Sequence, residues 1–202
     1  VMEHLLDVRD LSITYLNKSR NVQAVRHVNF TIDKGDSLGL VGESGSGKST
    51  LAMGMLRILP QESIQMTGSA LFMGKDLVTI SDEEMNKLRW KEIAVVFQKA
   101  MNSLSPVHRI GTQIEDIYHV HEPKATKKEI HDRTMELLKL VNMPERVYKL
   151  YPHEMSGGML QRVAIVISLL HNPKLLVFDE ATTALDVVTQ GQILEEVVQM
   201  EK

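Results

Sequence analysis

The chain has no cysteine among its 202 residues. That excludes disulfides and thiolate metal sites, and it is compatible with a reducing cytoplasm. The sequence also lacks any apolar run near the roughly 18 residues needed to cross a bilayer. Its longest candidate, Val163 to Leu170, is short and interrupted by Ser168. There is no surplus of positive charge. The formal net charge is −3, which leaves no large basic face for a nucleic acid. Glu3, Asp7 and Asp10 break up the first apolar residues, so this stretch does not read as a signal peptide. Internal repeats and low-complexity tracts are missing too. What remains is 43% hydrophobic and 24% charged, an ordinary globular composition. The length suits one α/β domain with a small inserted lobe.

The most informative stretch is Gly42-Glu43-Ser44-Gly45-Ser46-Gly47-Lys48-Ser49, which fits the phosphate-loop pattern G-x-x-x-x-G-K-[ST]. Ser37 to Val41 before it reads as a short buried strand. Thr50 to Leu59 after it reads as a helix stopped by Pro60. Strand, glycine loop and helix form the context in which backbone N–H groups curl around a polyphosphate at a helix N-terminus. In that arrangement Lys48 reaches the β- and γ-phosphates and the Ser49 hydroxyl sits on Mg²⁺. A nucleoside triphosphate is the expected ligand.

Apolar residues at Val8, Leu11, Ile13 and Tyr15, and again at Val28, Phe30 and Ile32, recur mostly at strand period. A Lys18-Ser19-Arg20-Asn21 turn between them predicts an antiparallel pair leading into the loop. Ser69 to Met73 reads as a strand ending at Gly74-Lys75-Asp76. Ser81-Asp82-Glu83-Glu84 reads as a capping box opening a helix to about Lys91. Trp90 is expected to pack that helix against the sheet. Ile93 to Phe97 has buried-strand character. From about 100 to 155 no convincing strand appears; a second capping box at Thr126 and Glu129 opens a helix carrying Ile130, Met135, Leu137, Leu138 and Val141. This segment is expected to be an inserted helical lobe. Strand character returns at Leu175 to Phe178, and a last helix is expected at about Thr189 to Met200.

Two further stretches carry chemistry. Leu175-Leu176-Val177-Phe178-Asp179-Glu180 is an apolar strand delivering two carboxylates at its C-terminal end, the edge where ligands gather in parallel α/β sheets. A phosphate-loop protein needs an aspartate there for Mg²⁺, and the adjoining glutamate can act as general base. Ser156-Gly157-Gly158-Met159-Leu160-Gln161-Arg162 reads as an N-cap serine and two glycines before an apolar helix. Its hydroxyl, amides and positive dipole end suit a second phosphate site, completed by a neighbouring subunit's triphosphate. His119, His121 and Glu122 read as a surface turn, and the twelve methionines as core filler.

These motifs, in this order, resemble the nucleotide-binding subunit of ATP-binding-cassette (ABC) transporters over nearly the whole chain. Residues 42–49 resemble the family's Walker A motif, 175–180 its Walker B, and Met155-Ser156-Gly157-Gly158-Met159 its signature, with methionine where leucine and glutamine are usual. Gln98 falls at the Q-loop glutamine, Ala184-Leu185-Asp186 is similar to the D-loop, and Tyr15 sits where the family stacks an aromatic on adenine. The segment from Phe97 to Gly111, with Tyr151 to Met159 and Thr182 to Val187, resembles ATPases of oligopeptide, dipeptide and nickel importers. Ala181 replaces a proline usual in the family.

The resemblance implies a P-loop α/β core with a mainly parallel sheet, an N-terminal antiparallel β subdomain and an inserted helical lobe. Residues 1–98 and 169–202 would form the core of a single domain, and about 99–168 the helical subdomain with the signature. It implies that ATP is held by Tyr15, Gly42, Glu43, Ser44, Gly45, Ser46, Gly47, Lys48, Ser49 and Thr50, and, across a head-to-tail dimer, by Ser156, Gly157, Gly158 and Asp186. Ser49, Gln98 and Asp179 would organise Mg²⁺; Glu180 would activate water and Gln98 would link the γ-phosphate to the lobe. The partners implied are a second, identical or sister ATPase subunit, two transmembrane permeases and, indirectly, a solute-binding protein, at the cytoplasmic face of the membrane and without nucleic acid. Two alternatives stand beside this importer ATPase: a soluble ABC-type ATPase acting on nucleic acid or ribosomes, and a non-hydrolysing module that dimerises on ATP. The family's switch histidine has no counterpart among the eight histidines, so the chain is expected to be C-terminally truncated and to hydrolyse ATP poorly.

Overall fold

Residues 4–97 and 104–179 are described by a computed structural model. The chain divides into two compact units, Val1–Arg89 and Trp90–Lys202.

The first unit is built on strands β1 (Leu6–Tyr15) and β2 (Val22–Ile32), the expected antiparallel pair. The alternation along β1 slips by one between Val8 and Leu11, yet Leu6, Val8, Leu11 and Ile13 are all buried. A bulge at Asp10, which has φ 50°, absorbs the extra residue and returns the apolar side chains to one face. The bulge is tied down by its neighbours: Asn29 Oδ1 accepts from the Asp10 amide at 2.8 Å, and His27 Nδ1 lies 2.7 Å from Asp10 Oδ1. Helix α1 (Lys48–Met55) follows the phosphate loop, and β3 (Ile64–Phe72) pairs antiparallel with β1 on its other side. The short strand β4 (Lys75–Asp76) closes a hairpin with β3, giving the order β2-β1-β3-β4. Helix α2 (Asp82–Leu88) opens on the expected capping box, Ser81 with Glu84.

Four expectations in this region need correction. Residues 37–41 are not a buried strand. They bond to no strand among the described residues, and Leu38, Leu40 and Val41 are 46%, 48% and 98% exposed; an apolar run becomes a strand only where a neighbour completes its ladder. Helix α1 ends at Met55 rather than Leu59, because Arg57 takes φ 50° and the chain closes a Schellman turn, with Ile58 N–H donating to Met53 O at 2.9 Å and Arg57 N–H to Gly54 O at 3.0 Å. The strand expected at 69–73 begins earlier, at Ile64, drawn out by pairing with β1. Helix α2 stops at Leu88 rather than Lys91; Trp90 occupies a left-handed turn, its backbone N–H donating to Ile93 O at 2.7 Å.

In the second unit β5 (Ile93–Phe97) and β6 (Leu175–Asp179) pair in parallel, from Ile93 opposite Leu175 to Phe97 opposite Asp179. Residues Ile93 to Val96 are buried without alternation, as expected of a parallel strand. Between them lie α3 (Ile110–His121), α4 (Lys127–Leu140) and α5 (Gly157–Leu169), with no strand among the described residues of 104–155. Thr126 and Glu129 form the expected capping box of α4. One core joins Ile110 and Ile114 of α3, Ile130, Leu137 and Leu138 of α4, and Val163, Ile165, Val166 and Leu169 of α5. Arg133 of α4 donates to Leu169 O at 3.0 Å and to Asn172, satisfying the carbonyl end of α5. The helix expected at 189–200 lies outside the described residues.

Past α5, the His171 ring lies 4.5 Å from Tyr118 and 5.2 Å from His121, with Glu122, Lys91 and Arg133 around it. Burial, and then the neighbouring His121, push its imidazole below the usual 6.5, while Glu122 opposes them. The folded state therefore binds the proton less readily than the unfolded chain. Its contribution to stability is complete above pH 6.5 and is lost as pH falls from there through the lowered value of the folded state. His171→Phe, which keeps the ring, is expected to flatten this acid-side loss. Urea midpoints at pH 7.5 and 5.5 check it; an identical drop in both proteins would place the sensitivity elsewhere.

Candidate phosphate-binding loop

The loop from Gly42 to Ser49 begins with a tight turn in which Ser46 N–H donates to Glu43 O at 3.1 Å. Gly47, at φ 96° and ψ 5°, forms the N-cap of α1, and its carbonyl accepts from Leu51 N–H at 2.9 Å. A side chain at Gly47 would put its Cβ 2.3 Å from Ala24 O on β2, so the loop rests directly on the backbone of a paired strand. At Gly42 a Cβ would meet Ser46 Oγ at 2.7 Å. Glycine at these two positions lets the loop close on itself and against β2.

Lys48 folds back over the loop. Its Nζ donates to Gly42 O at 2.6 Å, Glu43 O at 2.7 Å and Ser46 Oγ at 3.2 Å. The ammonium is thereby held above the loop in a set position. The first amides of α1, beginning at Lys48, have no carbonyl one turn upstream within the helix, and the first turn holds no acidic residue. Fixed positive charge, glycine backbone and a helix N-terminus converge, which is the chemistry of anion recognition. Tyr15, half-buried at the end of β1, places its phenol oxygen 3.1 Å from Thr50 Oγ1 in the first turn of α1. The structure therefore brings Tyr15, Gly42 to Ser49 and Thr50 together within the first unit.

The remaining expected site residues belong to the second unit. Ser156 is the N-cap of α5, accepting from Met159 N–H at 3.2 Å; Ser156 and Gly157 are exposed, Gly158 is half-buried, and the first turn holds no acidic residue. Asp179 ends β6 opposite Phe97 in the parallel register. Gln98, Glu180 and Asp186 lie outside the described residues. Two residues were passed over in reading the sequence. Gln161 is 2% exposed on apolar α5, with Nε2 3.5 Å from Phe97 O at the end of β5; a polar residue inside an apolar helical run was the available signal. Ala24, whose carbonyl backs Gly47, left no signal, because the contact comes from another strand.

The sequence model of the ABC transporter family matches residues 25–183. The oligopeptide transport ATP-binding protein OppD of Bacillus subtilis is 47% identical over 201 residues, covering 98% of this chain and 56% of OppD. OppD of Escherichia coli is 43% identical over 192 residues, covering 94% of this chain and 56% of that protein. The chain thus spans a little over half the length of these curated relatives. Among solved structures, an ATP-binding cassette in a dimeric, post-hydrolysis state bound to ADP and Pi superposes with a TM-score of 0.84 at 28% identity, covering 98% of this chain and 83% of that one. The cassette cbiO1 of Clostridium perfringens gives 0.73 at 29% identity, covering 98% and 74%. Antiparallel N-terminal sheet, parallel strands and helical segment make the ABC ATPase cassette fold, and the chain belongs to the ABC transporter family.

Proposed function

We propose that this chain binds and hydrolyses ATP to power a membrane importer of peptides. The observation that carries the reading is the phosphate loop, where Lys48 is held over the Gly42 and Glu43 carbonyls beside the open N-terminus of α1. A polyphosphate fits such a cradle, which a side chain at Gly42 would crowd. Tyr15 would take the base, the loop from Gly42 to Ser49 and Thr50 the phosphates. Ser49 and Asp179 supply hard oxygen donors of the kind Mg²⁺ prefers, with Gln98 as a third. When bound, Mg²⁺ neutralises charge on the phosphate oxygens. Glu180 would withdraw the proton from the attacking water, and Ser156, Gly157, Gly158 and Asp186 would contact the nucleotide of a second ATPase subunit.

The names of the relatives favour peptide over nickel as cargo, and transport over action on nucleic acid or ribosomes. The partners are then a second cassette, two permease subunits at the cytoplasmic face of the membrane and, through them, a solute-binding protein. Among the described residues no helix is long and apolar enough to cross a membrane.

Calorimetric titration with Mg-ATP tests the reading. Lys48→Ala is expected to weaken affinity by roughly 10- to 100-fold, the worth of hydrogen bonds to a charged group. Equal affinity in the two proteins would remove the phosphate loop as the site.

A further inference from the structure

We propose that Thr50 is a positioning residue: its hydroxyl holds the Tyr15 ring in place for an aromatic base, so that one hydrogen bond sets base site and phosphate loop relative to each other. The inference rests on the nucleotide reading above and adds to it the origin of base recognition.

Tyr15 is the last residue of β1 and is paired on both sides, with Val22 of β2 and Ile64 of β3. Its backbone is therefore fixed, while its side chain retains rotation about χ1 and χ2. The phenol oxygen lies 3.1 Å from Thr50 Oγ1, a contact made across 35 positions of sequence. Thr50 stands in the first turn of α1, directly after Ser49. Being β-branched, it has only two favoured χ1 rotamers in a helix, and the bond to Tyr15 selects one of them. The bond thus restrains the ring before any ligand arrives, and removing that freedom in advance lowers the cost of binding. A tyrosine face so held is a stacking platform for a base, whereas loop amides and Lys48 read only phosphate. A bond that merely packed α1 against β1 would act on all phosphate ligands alike, and this difference separates the two roles.

The experiment measures dissociation constants of the whole chain for Mg-ATP and for magnesium tripolyphosphate, which has no base. Thr50→Val and Tyr15→Phe are each expected to weaken ATP binding about 2- to 10-fold, the range of one neutral hydrogen bond. The double variant should be no weaker than Thr50→Val alone, because both substitutions remove the same bond. Tyr15→Phe should leave tripolyphosphate affinity unchanged, and Thr50→Ser should restore ATP affinity. Unchanged ATP affinity, additive losses, or equal weakening of both ligands by Tyr15→Phe would overturn the inference while leaving the nucleotide reading in place. A wild-type chain that bound neither ligand would overturn both. Should Thr50→Val fail to fold by circular dichroism, Tyr15→Phe against the two ligands decides the matter, since it leaves α1 intact.

Discussion

Gly47→Ala is expected to weaken ATP binding by on the order of 100-fold or more, and Gly45→Ala by no more than about tenfold. Both glycines have positive φ, 96° and 80°, so each substitution carries the left-handed penalty of about 1–2 kcal/mol. The surroundings separate them. A Cβ at Gly45 meets nothing within 4 Å. A Cβ at Gly47 lies 2.3 Å from Ala24 O and 3.3 Å from Ala24 C, and Ala24 belongs to a strand whose neighbours Gln23 and Val25 are paired with Thr14 and Ile13. The sheet cannot yield, so the loop must. Its displacement moves Lys48 and the first amides of α1 away from the phosphates, and a misplacement of about 1 Å commonly costs on the order of 10²-fold where groups act by position. Calorimetry with Mg-ATP, beside thermal melting to confirm folding, checks the pair. Equal losses at the two positions would show that the contact with β2 does not set the loop.

Glu180→Gln is expected to leave ATP binding intact and to lower turnover by about 10²- to 10⁴-fold. The change keeps the size and hydrogen-bonding capacity of the side chain but removes the group that can accept a proton from water. Asp179, one residue earlier, ends β6 at the carboxyl edge of a parallel pair, the edge at which α/β proteins gather their ligands. ATP that binds without being cleaved should also hold two cassettes together. Phosphate release gives the rate, and light scattering in the presence of ATP gives the association. Wild-type turnover in the variant would assign the base to another residue.

The sequence by itself determined the features whose physical cause is local. Three glycines and a lysine at fixed spacing define the phosphate loop, because a few consecutive backbone angles and one helix N-terminus make the cradle. Ser81 with Glu84 and Thr126 with Glu129 start their helices within one turn. Ser156 caps α5 in the same way. The apolar runs 93–97 and 175–178 announced strands, and in the first of them burial on both faces leaves no alternation.

Tertiary structure alone decided the features that depend on a distant partner. The pairing of β5 with β6, which sets Phe97 opposite Asp179, joins segments separated by three helices. The bulge at Asp10 was invisible as a slipped period until Asn29 and His27 were seen to hold it. The end of α1 followed from the left-handed turn at Arg57, a residue that propensity would have kept helical. Residues 37–41 carry the composition of a strand and are exposed, because composition supplies an apolar edge but not the neighbour that must bond to it. Ala24 beneath Gly47 and Thr50 beside Tyr15 are contacts between elements far apart in sequence. Local preference reaches one helical turn or one strand alternation; the position of one element against another is set by packing, which no single segment encodes.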